Sequence, residues 1–450
     1  MDARRFHVIA GLGKTGLSVA RYLLSRGVPF ALTDTRAQPP GLDQLNQIAP
    51  DLVGKMGACK FGGLDAELLA KADVIVASPG LALTEPALVA ARSRGAQVIG
   101  DIELFVQVAR APIIAITGSN GKSTVTMLTG HLLNHTGRRA LVGGNIGTPA
   151  LDLLEQPVPD FYVLELSSFQ LETTHSLRAA AATVLNISED HMDRYPSLTA
   201  YAEAKARIYH HANVAVINAD DRETRRDFDR ARRHVTFAVH HSDADYRVEH
   251  INGRRWLTVG EQAFADLEQL PIQGEHNAAN VLAAVALCEA VGVKAEKLRD
   301  SLRSFDGLPH RCVLVREHGG VRYYNDSKAT NVGAALAAIS GIGPVITGKL
   351  VMIAGGDAKG QDLQSLAPAL THYARAVVLL GRDADKLSAI VPDAVTQQFV
   401  DSIEEAVSAA AALAEPGDAV LLSPACASLD MFRNYEERGD RFSRAVEALL

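Results

Sequence analysis

Within Thr117-Gly118-Ser119-Asn120-Gly121-Lys122-Ser123-Thr124, glycines, a lysine and hydroxyls follow an apolar run and precede a helix-compatible stretch. A loop of this kind turns successive backbone N–H groups onto phosphate oxygens, and the helix behind it presents its positive end to the same anion. Lys122 is then placed for the terminal phosphates and the Ser123 hydroxyl for magnesium. The first glycine of the usual G-x-x-x-x-G-K-[ST] pattern would fall at Ile116, so this is a variant phosphate loop. A nucleoside triphosphate is the expected ligand; the loop leaves open which reaction consumes it.

Carboxylates stand nearby in the chain. Glu165 ends the next apolar run, and Glu189, Asp190, His191 and Asp193 follow the one after it. Hard oxygen ligands suit magnesium and are needed beside a phosphate loop. Taken singly, Glu165 also reads as a strand-end surface carboxylate and His191 as an exposed turn residue. Lys205, in a stretch of high helix propensity, reads as an exposed helical lysine. Asn277 reads as the N-cap of an Ala/Val/Leu-rich helix, whereas Asn280, a turn inside, is placed to read a base edge. A second glycine pattern, Gly11-Leu12-Gly13-Lys14-Thr15-Gly16 with Asp34 about twenty residues on, satisfies the dinucleotide fingerprint. By itself it predicts NAD; a plain strand-to-helix turn is the alternative.

These residues must be positioned by strands. One theme recurs: a short Val/Ile/Leu-rich run, a Gly- or Asp-containing turn, then a helix-like stretch. The first block has runs at 7–13, 29–36 and 72–80, the second at 112–124, 160–168, 181–191 and 213–221, the third at 321–331, 349–360, 374–383 and 418–428. The pattern predicts an α/β protein of three domains, each built on a mainly parallel sheet, over residues 1–101, 102–308 and 309–450. A chain of 450 residues exceeds what one core usually organises, which agrees with that division. In open α/β sheets ligands collect at the carboxyl ends of strands, where all three blocks carry their polar, Gly-rich segments.

Composition narrows the function classes. With 47% hydrophobic and 22% charged residues the chain is ordinary globular protein, not a disordered one. Its net charge of -7 argues against nucleic-acid binding, and the mixed-sign cluster from Arg222 to Arg233 predicts a solvated helix. Cys59, Cys288, Cys312 and Cys426 lie far apart without CxxC spacing, so neither a zinc site nor a disulfide framework is expected and a reducing cytoplasm fits. The apolar stretch from His7 runs straight into Gly11, too short for a signal peptide, and no run is long enough to span a bilayer. A cytoplasmic, monomeric enzyme without membrane insertion is the expectation.

With these residues assembled, the chain resembles the Mur ligase family of peptidoglycan synthesis over essentially its whole length. T-G-S-N-G-K-S-T, Glu165, N-I-S-E-D-H-M-D-R-Y with His191, Lys205, G-x-H-N-x-x-N ending at Asn280 and L-P-H-R ending at Arg311 all stand in family order. N-D-S-K-A-T-N (Asn325 to Asn331) and the terminal S-P-A-C-A-S-L-D-M-F are similar to its D-glutamate-adding branch. The resemblance implies a Rossmann-like first domain binding a uridine nucleotide, a P-loop ATPase-like central domain and a Rossmann-like third domain carrying the amino-acid site. It implies a ligase that uses ATP and Mg2+ to join D-glutamate to UDP-N-acetylmuramoyl-L-alanine through an acyl phosphate. It further implies ATP contacts from Gly118, Asn120, Gly121, Lys122, Ser123, Thr124, Asn280, Arg311 and Asp326. Lys122, Glu165, His191 and Lys205 would be catalytic, with Ser123, Glu165, His191 and Lys205, once carbamylated, holding magnesium. Lys14, Thr15, Asp34, Thr35, Arg36, Ser78, Gly80 and Asn145 would contact the UDP-linked substrate, so that the first glycine loop cradles its diphosphate in place of NAD. Lys328, Thr330, Lys359, Ser428 and Tyr435 would surround the incoming amino acid. Folylpolyglutamate synthase shares this ATPase chemistry but lacks the UDP-type first domain.

Overall fold

Strands that are buried on both faces need no alternation of polar and apolar residues, so they read as unbroken apolar runs. The runs of the sequence become such strands in the computed structural model, which describes residues 5–54, 57–272 and 274–449. The first sheet contains β1 (His7–Ala10), β2 (Phe30–Asp34), β3 (Cys59–Phe61), β4 (Val74–Ala77) and β5 (Gln97–Ile99). Its order is β3-β2-β1-β4-β5 and every pairing is parallel. The order reverses beside β1, and there the Ser78 hydroxyl donates to the Gly11 carbonyl at 3.0 Å, joining the ends of β4 and β1.

The second sheet is nine-stranded: β6 (Ile113–Thr117), β7 (Ala140–Gly144), β8 (Phe161–Glu165), β9 (Ala181–Val184), β10 (Val214–Asn218), β11 (Arg233–Ala238), β12 (Tyr246–Ile251), β13 (Arg254–Val259) and β14 (Gln262–Asp266). In order it runs β14-β13-β12-β11-β10-β9-β6-β8-β7, parallel from β7 through β12 and antiparallel beyond. The third sheet runs β15-β16-β20-β17-β18-β19, formed by β15 (Val313–His318), β16 (Val321–Asn325), β17 (Leu350–Gly355), β18 (Ala374–Leu380), β19 (Thr396–Phe399) and β20 (Ala419–Leu422). Only the β15–β16 pair is antiparallel there. The chain is therefore α/β with three mainly parallel sheets, as the sequence pattern predicts. The antiparallel exceptions sit at sheet edges on tight hairpins: Asn252-Gly253 and Gly319-Gly320 both adopt positive φ at two successive residues, the geometry a two-residue turn demands.

Packing differs between the blocks. A single apolar cluster runs through the first two, joining Ile9, Leu17 and Phe105 to Tyr162, Leu164 and Tyr209. The third block has its own clusters, around Met352 and Leu421 on one side and Val351 and Phe442 on the other. Two expectations are corrected. The Arg222–Arg233 cluster is not a helix but two 3-10 turns, Arg222–Arg225 and Phe228–Arg230, followed by β11. Asp221 caps the first turn by accepting the Glu223 N–H, and Asp227 at φ 54° interrupts any continuation. Asn277 is not a cap, because the helix Glu275–Ala290 starts behind Gly274, whose φ of 96° makes the bend. All four cysteines are free, and among the described residues no helix is long and apolar enough to cross a membrane.

Candidate active site

The phosphate loop leaves β6, which is buried along its whole length, and enters the helix Lys122–His135. Gly118 at φ 146° and Gly121 at φ 81° make turns that side-chain-bearing residues resist. Asn186, beyond β9, clamps the loop by accepting the Asn120 N–H at 2.8 Å and donating to the Asn120 carbonyl at 3.0 Å. The Ser119 hydroxyl donates to the Ser188 carbonyl at 2.9 Å and accepts the Ser188 N–H at 2.9 Å. Lys122 Nζ donates to the Gly118 and Ser119 carbonyls, both at 2.8 Å. Burial draws its pKa down, against the pull of Glu165 and Asp190. Asn280 lies so close that a Cβ at Gly121 would stand 2.4 Å from its Oδ1.

Glu165 ends β8 with 2% of its surface exposed. Asn145 Nδ2 donates to its Oε1 at 2.7 Å, while its Oε2 is buried with no hydrogen-bond partner among the described residues. A carboxylate oxygen left so is costly unless something fills the position, and a hard divalent cation is the ligand its chemistry suits. Lys205 overturns the exposed-lysine reading: it is 2% exposed, lies over the Tyr201 ring at 4.5 Å and donates to the Gly118 carbonyl at 2.9 Å. Burial, with Lys122 adding repulsion, holds its pKa well below the usual lysine value. A neutral amine is the form that adds carbon dioxide, so the environment suits carbamylation. His191 stands at φ 59° with its ring edge-on to Phe169 at 4.9 Å. Burial lowers its pKa to about 4, which keeps the imidazole in its metal-ligating, neutral form. Among the described residues no three His, Cys, Asp or Glu side chains converge, so a cation at Glu165 and His191 would need Ser123, Lys205 or its own substrate to complete its shell.

The third block faces this loop. Asn331 Nδ2 donates to Asn120 Oδ1 at 2.9 Å, and Lys359, at φ 52°, forms an ion pair with Asp190. Burial raises the Asp326 carboxyl to about 7 even though the Ser423 hydroxyl donates to it at 2.8 Å and the Cys312 N–H at 3.2 Å. Lys328 Nζ lies 3.7 Å from the Tyr435 ring centroid, and burial followed by Arg311 pulls its pKa down to about 8.

One cavity of about 590 Å³ collects most of the residues singled out in the sequence. From the central block it gathers Asn120 to Thr124, Asn145, Glu165, His191, Lys205 and Asn280. From the third come Arg311, Asp326, Lys328, Thr330, Lys359, Ser428 and Tyr435, and from the first Gly80. Gly118 lies just behind, buried, its carbonyl taken by Lys122 and Lys205. The remaining first-block residues form a separate group at the ends of β1, β2 and β4. Lys14 opens the helix Lys14–Ser25, with Thr15 beside it, and donates to the Gly147 carbonyl of the central block at 2.5 Å. Thr35 and Arg36 are exposed, and Ser78 closes on Gly11. Asp34 is 1% exposed and fully engaged: it accepts the Leu12 N–H at 2.6 Å, the Arg36 N–H at 2.8 Å and the Arg36 guanidinium at 2.8 and 2.9 Å.

Asp190, named in the sequence among the oxygen ligands for magnesium, is instead paired with Lys359, 169 positions away. Two contributors escaped the sequence reading. Asn186 follows an apolar strand, the one local sign that it serves a loop. Tyr201 lies four positions before Lys205 on the helix Leu198–Ala206, and that spacing, which puts two side chains on one helix face, is the local sign of their contact.

Three family models match the chain in order. The "Mur ligase MurD-like, N-terminal domain" covers residues 5–100, the "Mur ligase middle domain" residues 116–288 and the "Mur ligase, glutamate ligase domain" residues 310–426. A UDP-N-acetylmuramoylalanine--D-glutamate ligase of Nitrosococcus oceani is 52% identical over 444 residues, 98% of this chain and 96% of the relative. One from Pseudomonas savastanoi pv. phaseolicola is also 52% identical, over 99% of this chain and 98% of its own length. Among solved structures, UDP-N-acetylmuramate-alanine ligase MurC of Thermotoga maritima superimposes with a TM-score of 0.63 at 19% identity, covering 99% of each chain. The MurF ligase of the same organism, solved with ADP, gives 0.63 at 17% identity over 99% of this chain and 98% of its own. At such identity these two likenesses speak for the fold alone.

Proposed function

The chain belongs to the Mur ligase family, and we propose that it uses ATP and magnesium to join D-glutamate to UDP-N-acetylmuramoyl-L-alanine in the cytoplasm. The observation that carries this reading is the shared cavity: the phosphate loop, the Glu165 carboxylate, one oxygen of which has no partner among the described residues, and the cationic loops of the third block line one space that reaches Gly80 of the first.

A carboxylate resists amines because delocalised negative charge shields its carbon, so one oxygen must first become a leaving group. In this reading the loop N–H groups and Lys122 hold the β- and γ-phosphates, while Asn280, Arg311 and Asp326 hold the nucleoside end. The substrate carboxylate attacks the γ-phosphorus, ADP leaves, and an acyl phosphate results. Ser123, Glu165, His191 and Lys205 as a carbamate would hold magnesium, which when bound offsets the charge that gathers during transfer. Lys14, Thr15, Thr35, Arg36, Ser78, Gly80 and Asn145 bind the UDP-linked substrate. Asp34 acts through Arg36 and the Leu12 N–H, to which it is already committed. Lys328, Thr330, Lys359, Ser428 and Tyr435 take the amino acid, whose carboxylates displace Asp190 from Lys359. Its amine then attacks the acyl carbon, and phosphate departs from the tetrahedral oxyanion, whose charge the neighbouring lysines stabilise.

The direct test is phosphate release from ATP in the presence of UDP-N-acetylmuramoyl-L-alanine, with each candidate amino acid supplied in turn. D-glutamate is expected to support turnover and L-glutamate, L-alanine, L-lysine and meso-diaminopimelate are not. Turnover with one of the others alone would reassign the third-block site.

A further inference from the structure

Among the described residues Arg438 is the largest fully buried side chain, with 1% of its surface exposed. It projects from the helix Tyr435–Glu447 beneath the loops that follow β16, β17 and β20. Its Nε donates to Ser327 Oγ at 3.0 Å and one Nη to the Ser327 carbonyl at 2.8 Å. Both Nη atoms donate to the Cys426 carbonyl, at 3.2 and 3.3 Å, and one reaches the Gly355 carbonyl at 3.4 Å. Ser327 in turn donates to the Tyr435 carbonyl at 2.8 Å.

These acceptors have one thing in common. Ser327 neighbours Lys328, Gly355 ends the strand that leads to Lys359, and Cys426 precedes Ser428 by two positions. A single guanidinium thus ties together the three loops that carry the proposed amino-acid contacts, from a helix whose first residue supplies a fourth. Burying a cation is expensive, and among the described residues this one has no carboxylate as a hydrogen-bond partner; Asp430 and Asp326 act on it from a distance. A neutral strut would hold the loops at less cost. What a cation adds is positive potential beneath a pocket that already contains Lys328 and Lys359, which suits a ligand bearing two carboxylates.

We propose that Arg438 is a positioning residue for amino-acid selection: its planar fork sets the spacing of the Ser327, Gly355 and Cys426 loops so that the pocket accepts a dicarboxylate of glutamate length. This rests on the D-glutamate reading above. Lysine cannot reproduce a five-donor planar fork, so Arg438→Lys is the informative variant.

The experiment compares Arg438→Lys, Arg438→Gln and the milder Ser327→Ala with the wild-type enzyme, measuring kcat and separate KM values for D-glutamate and ATP, with D-aspartate as competitor. For Arg438→Lys the D-glutamate KM should rise about 10- to 100-fold, the loss of one charge-assisted hydrogen bond, while the ATP KM stays within about twofold. Preference for D-glutamate over D-aspartate should fall in parallel. Ser327→Ala, which keeps the arginine, should raise the D-glutamate KM by about 3- to 10-fold and serves if the arginine variants fail to fold. An unchanged D-glutamate KM in the folded variants, or equal rises for both substrates, would overturn the proposal. A wild-type enzyme idle with D-glutamate would overturn the functional reading and this proposal together, whereas an active wild type whose folded variants keep both the D-glutamate KM and the preference over D-aspartate would overturn this proposal alone.

Discussion

Two glycine-rich turns, Gly11 to Gly16 and Gly118 to Lys122, leave buried parallel strands and open helices in the same manner, yet they present different surfaces to a ligand. Around the first, the side chains of Asp34 and Ser78 are already engaged. Asp34 spans the turn, holding the Leu12 N–H and Arg36, and Ser78 closes on the Gly11 carbonyl. A Cβ at Gly16 would lie 1.9 Å from the Gly11 oxygen, so this glycine serves the packing of helix on turn. Around the second, groups remain open. Lys122 is hydrogen-bonded to carbonyls of its own loop, and among the described residues Glu165 Oε2 has no partner. Glycine spacing therefore specifies a turn; which anion the turn receives depends on the polar atoms left over beside it. The acid that would accept ribose hydroxyls in a dinucleotide site is committed elsewhere in the first loop.

The largest effect is expected at the open loop. Lys122→Ala should lower ATP-dependent turnover by about 10³-fold or more while the melting temperature shifts by no more than about 2 °C. Lys14→Ala, its counterpart in the first loop, should raise the KM for the UDP-linked substrate by less than about tenfold. Comparable losses of kcat at the two lysines would erase the distinction drawn between the loops.

A paired glycine test comes next. Gly16→Ala meets backbone and should destabilise the protein by about 3 kcal/mol, read from urea unfolding. Gly121→Ala meets the movable Asn280 side chain at a φ of 81°, so about 1–2 kcal/mol of strain and a raised ATP KM are expected. If the two alanines destabilised equally and left ATP binding alone, the second glycine would be structural too.

A smaller effect is expected from acid. Burial alone would raise the Asp34 carboxyl, but the Arg36 guanidinium and the Leu12 and Arg36 N–H groups hold it below the usual value. A carboxylate with a depressed folded pKa stabilises fully above its unfolded pKa and loses that contribution as pH falls through the folded one. The first loop should therefore lose stability only below about pH 4, and Asp34→Asn should cost about 1–2 kcal/mol at neutral pH while flattening that acid limb. Denaturant titrations at several pH values would show it, and an unaltered acid limb in the variant would mean the bonds to Leu12 and Arg36 carry no net weight. The last expectation is no effect at all: titration with NADH should leave nicotinamide fluorescence unchanged, and saturable enhancement would return the first loop to the dinucleotide class.

Legibility followed burial. Strands such as Ile113–Thr117 and Leu350–Gly355, covered on both faces, could be read as apolar runs. The partly exposed strands β12, β13 and β15 could not, because polar residues such as Glu249 and Arg316 interrupt them. Their turn signals, Asn252-Gly253 and Gly319-Gly320, were nonetheless present in the chain. The site divides in the same way. Lys122 announced itself through its neighbours, whereas Lys205 looked like a solvated helical lysine because its partners, Thr117 and Gly118, lie 88 and 87 positions away.

What the amino-acid order settled by itself was local or cumulative: the two glycine turns, the strand-and-helix rhythm of the three sheets, and the succession of motifs that places the chain among Mur ligases. Backbone preferences and apolar runs act over a few residues, so they survive in a linear reading. Tertiary structure alone decided that Asp34 is closed, that one oxygen of Glu165 is open, that Lys205 loses its proton readily and that Arg438 lies beneath three loops. Each of those depends on desolvation and on which donor meets which acceptor, and the groups concerned are brought together only when the sheets pack.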